Sequence, residues 1–213
     1  SVNDKGEKLV GVAENAFREQ GLESVKFPTG MMVDYDDTVT HVVTRRGNYI
    51  VGTGAFSKNN LTDVYLPEGV IAIMPSAFKN NKIENVSIPH TVWWVENSCF
   101  DSNNLTTVGF PKTCDFQMQI HAFAFSHNNI KSVRLPDYCE VVEKKVFYWN
   151  PGMEDCPTDA PEKEQGFGGV VYMYTDNPNL ANMERIHHIE RTAESQKSWH
   201  QKLIVGSRPE EEG

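Results

Sequence analysis

Residues 55–67 read AFSKNNLTDVYLP and residues 77–89 read AFKNNKIENVSIP. The phrase returns as CFDSNNLTTVGFP at 99–111 and as AFSHNNIKSVRLP at 124–136, with a weaker copy, AFREQGLESVKFP, at 16–28. Counted from the aromatic residue, the units start at Phe17, Phe56, Phe78, Phe100, Phe125 and Phe147. From Phe56 onward the intervals are 22, 22, 25 and 22 residues. A fixed period in the twenties is the mark of a solenoid, whose units each contact only their neighbours.

The apolar positions say how one unit is built. Five residues after the Phe stand Leu22, Leu61, Ile83, Leu105 and Ile130; eight after stand Val25, Val64, Val86, Val108 and Val133. Ten after come Phe27, Leu66, Ile88, Phe110 and Leu135, and the next residue is always Pro: Pro28, Pro67, Pro89, Pro111, Pro136. Val-x-aliphatic is a period of two, which predicts a short strand with one buried face. The Pro lacks an amide hydrogen and ends the ladder. Five residues before the Phe, Val12, Val51, Ile73, Val95, Ile120 and Val142 mark a second extended segment. One unit alone could not bury these groups; stacked units share a continuous core. Three residues after the Phe comes Asn59, Asn81, Asn103, Asn128 or Asn150. A carboxamide carries donors and an acceptor, so stacked Asn side chains are expected to form a structural ladder bonding neighbouring backbone in a tight turn. The repeat also accounts for the glycosylation-like triplets at Asn60, Asn85 and Asn104.

This pattern resembles the BspA-like leucine-rich repeats of bacterial surface proteins over roughly residues 9–150, with a decayed sixth unit, VFYWNPGMEDCPT. The resemblance implies a mainly β, right-handed leucine-rich-repeat solenoid of about 22-residue coils. It also implies a secreted or cell-surface, adhesin-like protein of gut or oral anaerobes that binds a host protein or glycan. The family shares no catalytic motif, so no functional residue is carried over. A spacer domain that presents something else, without a ligand of its own, is the alternative.

Two stretches depart from the period. Between Phe17 and Phe56 the interval is 39, so about 17 residues are inserted, at about 29–48. There, MMVDYDDTVTHVVTRRGNYIV alternates around the turn-like DYDD and RRGN and predicts two or three strands. A three-residue insertion falls within KTCDFQMQ. The solenoid therefore occupies 1–150, and 151–213 forms a C-terminal loop and cap packed on the same array. PGMEDCPTDAPEKEQGFGG reads as the loop, VVYMY and KLIVG as strands, and residues from about 179 to 196 as a helix. Solenoid ends need such caps.

Composition narrows the partners. The 213-residue chain is 39% hydrophobic and 23% charged with a formal net charge of −9, which argues against nucleic acid as the main partner. No apolar run approaches a membrane span of about 20 residues. The opening SVNDKGEK reads as a mature or trimmed start, so a missing leader says nothing about export. No phosphate loop, nucleophile elbow or Cys-x-x-Cys pair appears. No enzyme activity, metal or cofactor is expected. His187 and His188 are adjacent, so on a helix they would point about 100° apart, and His121 and His127 share one coil with no matching carboxylate pair.

Cys99 replaces the small residue before the Phe and is expected to be buried. Cys114 and Cys139 each stand three residues after a Pro, at equivalent sites of consecutive coils. They are either a stapling disulfide or two stacked core thiols in the sites of Val70 and Val92. The outward strand positions are Ser24 and Lys26, Asp63 and Tyr65, Asn85 and Ser87, Thr107 and Gly109, Ser132 and Arg134. In the other extended segment, Trp93 and Trp94 replace Ile71 and Ala72 between the apolar frame residues Val92 and Val95. Both cannot point inward, so at least one indole is expected on the surface beside Ile71. Trp93, Trp94, Ile71, Tyr65, Ser87 and Arg134 are the candidate binding residues, facing a ligand or a second copy of the chain.

Overall fold

The computed structural model describes residues 10–28, 32–36, 43–114, 116–136, 139–143, 145–150, 171–175 and 201–205. In chain order the strands are β1 (Gly11–Val12), β2 (Met32–Asp36), β3 (Val43–Gly47), β4 (Tyr49–Val51) and β5 (Val70–Ile73). There follow β6 (Asn85–Ser87), β7 (Trp94–Val95), β8 (Thr107–Gly109), β9 (Met118–Ile120) and β10 (Ser132–Arg134). The last three are β11 (Cys139–Val142), β12 (Val171–Thr175) and β13 (Gln201–Val205). Strands with little helix between them are what a repeat of short Val-x-aliphatic segments dictates, and the described residues contain no helix. The chain is a mainly β leucine-rich-repeat solenoid.

One wall is a parallel six-stranded sheet in the order β1-β4-β5-β7-β9-β11. Its register aligns Val12, Val51, Ile73, Val95, Ile120 and Val142 across the coils. These are the frame residues five positions before each Phe. From Val51 onward every one of them is fully buried. The second wall is made by the Val-x-aliphatic strands. β6 pairs in parallel with β8, and β10 with β12 and then β13. In β6 and β8 the central Val is buried and both flanks are exposed. The inserted stretch supplies the antiparallel hairpin β2–β3, while its third strand, β4, belongs to the main sheet. The chain rejoins the coil at Gly47, where a Cβ would sit 2.6 Å from the carbonyl oxygen of Gly69. The loop at 151–170 and the helix expected near 179–196 lie outside the described residues.

Between the walls runs a stack of phenylalanines. Centroids of Phe17, Phe56, Phe78, Phe100, Phe125 and Phe147 are 5.3, 5.3, 5.1, 5.5 and 5.7 Å apart in turn, with planes within 14° of parallel. Each Phe sits at the apex of a turn with left-handed backbone two residues before it, from Asn15 and Gly54 through Ser76, Ser98 and Phe123 to Lys145. Two residues after it the left-handed conformation returns, at Glu19, Lys58, Asn80, Ser102, His127 and Trp149. Only one of these twelve is Gly, so most of the turns hold an L side chain in a conformation it disfavours.

The carboxamides hold these turns. Asn103 Nδ2 donates to the carbonyls of Phe78 and Phe100 at 3.0 and 3.1 Å, and its Oδ1 accepts the N–H of Ile83 at 3.1 Å. Asn81, Asn128 and Asn150 repeat this set with their own and the preceding coil. Asn59 reaches back across the long insertion to Phe17 O and to the amides of Gln20 and Leu22. In the first described coil the equivalent residue is Gln20, whose Nε2 donates to Arg18 O within its own coil.

Asn103→Ala strands two carbonyls and an amide in a buried turn, so it should destabilise the protein by about 1–3 kcal/mol, read from denaturant melts. Phe100→Ala opens a cavity in the ring stack and should cost about 3–5 kcal/mol. Melts of either variant that overlay the parent would remove the turn from the account of stability.

Candidate functional site

Period-two alternation turns one residue of each main-sheet strand away from the core. Trp94 is paired in register with Ala72 on one side and Gln119 on the other. Its neighbour Val95 is buried, whereas Trp94 itself is half-buried and outside the core. Trp93 is half-buried too; its N–H donates to Ile71 O at 3.2 Å, which places it beside Ile71 across the sheet. The Trp93 and Trp94 rings meet at 4.9 Å and 63°. Phe116, 48% exposed, lies 6.3 Å from Trp93, and His121 stacks on Trp94 at 5.8 Å and 21°. Glu96 Oε1 accepts the Trp94 indole N–H at 2.6 Å and fixes the ring. Together these residues form an aromatic strip across β7 and the approach to β9.

Sequence reasoning finds the tryptophans but not Phe116, His121 or Glu96. Phe116 sits in the three-residue insertion, where the repeat gives no frame. Glu96 and His121 each follow a frame residue directly, so they come to lie side by side only when coils stack. Ile71 is half-buried rather than exposed, and the exposed aliphatic residue of this sheet is Ile50. Tyr65, Ser87 and Arg134 lie on the other wall: Tyr65 is 77% exposed, Ser87 is exposed and Arg134 is half-buried. The six candidate residues therefore divide between two walls of the solenoid.

The histidines require a correction, because each meets a carboxylate of another coil. His121 Nδ1 is 3.3 Å from Glu143 Oε1, whose partner oxygen accepts the Ala122 N–H at 2.7 Å. His127 Nδ1 is 2.7 Å from Asp101 Oδ1. Three coils meet at Asp101, which also receives Ser126 Oγ at 2.6 Å and Lys79 Nζ at 2.7 Å. This Ser-His-Asp group is not a nucleophile relay. Ser126 and His127 bond the same carboxylate oxygen, and no hydrogen bond links hydroxyl to imidazole as proton abstraction would need. Among the described residues no three His, Cys, Asp or Glu side chains converge on a metal position. His187 and His188 lie outside the described residues.

The cysteines require another correction. Cys99, Cys114 and Cys139 are thiols. Cys139 fills the inward site equivalent to Val70, but its register partner is Met118, not Cys114. The three extra residues of KTCDFQMQ leave Cys114 four positions ahead of β9, partly buried against the core, so the two thiols do not occupy equivalent sites of the sheet. Cys99 is fully buried, and burial pushes its pKa well above the ordinary value, which keeps it protonated and unreactive.

Burial alone would raise the pKa of Asp101, but hydrogen bonds from Lys79, Ser126 and His127 outweigh it and hold the carboxyl below its usual value. Because the folded-state pKa is depressed, the carboxylate contributes stability above about pH 4. That contribution is lost as the pH falls through the folded-state value. Asp101→Asn should therefore flatten the acid limb of a stability-against-pH curve below about pH 4; an unchanged acid limb would assign it to other carboxylates.

Among the described residues no helix is long and apolar enough to cross a membrane. No curated protein and no solved structure matches the chain. The profile of the BspA type leucine rich repeat region matches residues 33–154 in six copies. That span is more than half of the chain and holds the stacked coils from Phe56 onward with their Phe column and Asn ladder: the chain belongs to the BspA-type leucine-rich repeat family.

Proposed function

We propose that the protein is a non-catalytic, adhesin-like binding protein, secreted or held at a bacterial cell surface, that engages a host protein or glycan. Repeats of this type generally serve as protein-interaction modules of surface proteins. The observation that carries the reading to a site is the aromatic strip of Trp93, Trp94 and Phe116 on the outer face of the main sheet. In the preceding coil the same positions hold Ile71 and Ala72, so the core does not require rings there. Exposed aromatic surface of this kind is uncommon without a partner. Trp is enriched among the residues that dominate binding energy, and its flat face also suits a sugar ring. A second copy of the chain would use the same face in a homodimer.

Trp94→Ala should leave the melting temperature within a few degrees of the parent, because the ring lies outside the core. Binding to a panel of extracellular matrix proteins and glycans should fall at least about tenfold, the effect of losing one hot-spot side chain. An unrelated repeat protein serves as the control, and light scattering of the parent reports dimerisation. A parent protein that binds nothing above that control, and stays monomeric, would favour a spacer that only presents other domains.

A further inference from the structure

A carboxylate stands inside the aromatic strip with only neutral groups bonded to it. Glu96 accepts the Trp94 indole N–H at 2.6 Å, and the Asn97 backbone N–H and Nδ2 at 3.1 and 3.2 Å. Among the described residues no Lys or Arg is within ion-pair distance of it, whereas Glu19 and Asp101 each hold a lysine at 2.7 Å. Neutral donors satisfy lone pairs but leave the charge in place. The indole N–H is the positive edge of its ring, so a carboxylate bonded there also polarises the ring and deepens its negative face.

His121 adds an independent sign of the same polarity. Its ring stacks on Trp94 at 5.8 Å and 21°, with Nδ1 toward Glu143 Oε1 at 3.3 Å. In the neutral ring, Nδ1–H donates to that carboxylate and Nε2 is left with a lone pair. Nε2 is the buried side-chain polar atom that has no partner among the described residues. Trp94 therefore lies between the Glu96 charge and a histidine that carries an unanswered acceptor. A positive group is what this arrangement attracts. The planes of Trp93 and Trp94 are inclined at 63° and those of Trp93 and Phe116 at 61°, so the strip is no single flat platform for a row of sugar rings. The polar atoms that a sugar hydroxyl would seek, the Trp94 N–H and the Glu96 oxygens, are already engaged within the protein. A second copy of the chain, also at −9, would bring like charge to the face.

We infer that the aromatic strip docks an arginine-bearing, basic segment of a partner protein. The inference rests on the reading of the strip as the binding face and narrows it to one class of partner. The guanidinium lies against the indoles in a cation–π contact, with its charge facing Glu96. Phe116, 48% exposed, is placed to cover the apolar stem of the same side chain. Arginine suits the site better than lysine, because its planar group is more weakly hydrated and stacks on aromatic faces.

The test is an NMR titration of the full chain, read at the indole N–H signals, with an end-blocked peptide of alternating arginine and glycine. Its counterparts carry lysine, citrulline or glutamate in place of arginine; citrulline keeps the planar end and removes the charge. Saturable shifts at Trp93 and Trp94 are expected with arginine, weaker ones with lysine and none with citrulline or glutamate. Binding should weaken as sodium chloride is raised. Glu96→Gln keeps an acceptor for the indole but removes the charge, so it should weaken arginine-peptide binding several-fold at an unchanged melting temperature. Trp94→Ala should weaken it about tenfold. Glu84→Gln, an exposed carboxylate beside the other wall, should change nothing. Equal shifts with citrulline, an equal loss with Glu84→Gln, or shifts scattered over the acidic surface would each overturn the inference. Because arginine and citrulline are compared on the parent chain, a variant that fails to fold does not rescue it. The matrix-protein and glycan panel separates this inference from the broader reading. If Trp94→Ala loses binding there and Glu96→Gln keeps it, the strip is a binding face without a cationic partner; if neither variant loses binding, both readings fall.

Discussion

The carboxamide three residues after each Phe, from Asn59 onward, ties its turn to the coil before it. The backbone on both sides of the ring is left-handed, and most of the residues there are not Gly. Such a turn leaves carbonyls pointing along the solenoid axis with no strand to receive them. Asn81, Asn103, Asn128 and Asn150 answer two of those carbonyls at once, one in their own coil and one in the coil before, and accept an amide from the latter. A shorter side chain would not reach both coils, and an acid could not donate. The same bond that tightens the turn also joins neighbouring coils, alongside the backbone bonds that run between the turns, such as Phe78 N–H to Cys99 O.

Because each coil meets the same inward demands, freedom lies in the residues that point out and in the places where the period is broken. The aromatic strip uses the first kind of freedom at Trp93 and Trp94 and the second at Phe116, which the three-residue insertion delivers to the same face. The edge that carries the Phe turns uses the first kind again: Asp101, Ser126 and His127, one or two places after their Phe, satisfy one another.

The first described coil departs from the ladder. Its ladder position is Gln20, whose Nε2 donates to Arg18 O of its own coil. Phe17, in the same coil, is 44% exposed, whereas the rings from Phe56 onward are buried. Toward the C-terminus the pattern differs. β12 and β13 continue the second wall in parallel register, so Val133 aligns with Met173 and then with Leu203.

The sequence by itself determined the repeat, its inward residues, the Pro that ends each strand and the Asn that returns in every coil, because period and residue type are read along one dimension. Burial of Cys99 followed from the same reasoning. What happens between coils was only partly legible. The sequence aligned Cys114 with Cys139 by their distance from Pro, but the coils align by their buried frame, so Met118 takes that place. His121 and His127 looked unaccompanied because their carboxylates, Glu143 and Asp101, lie 22 and 26 residues away and become neighbours only on stacking. The candidate binding residues were read as one group, yet Trp93 and Trp94 lie on the segment of the coil that builds the main sheet and Tyr65, Ser87 and Arg134 on the segment that builds the other wall. The left-handed turns were hidden as well, since Gly marks only one of them. A repeated one-dimensional pattern specifies which groups must be buried; contacts between coils, and hence the faces that meet a ligand, depend on how insertions shift the register when the coils pack.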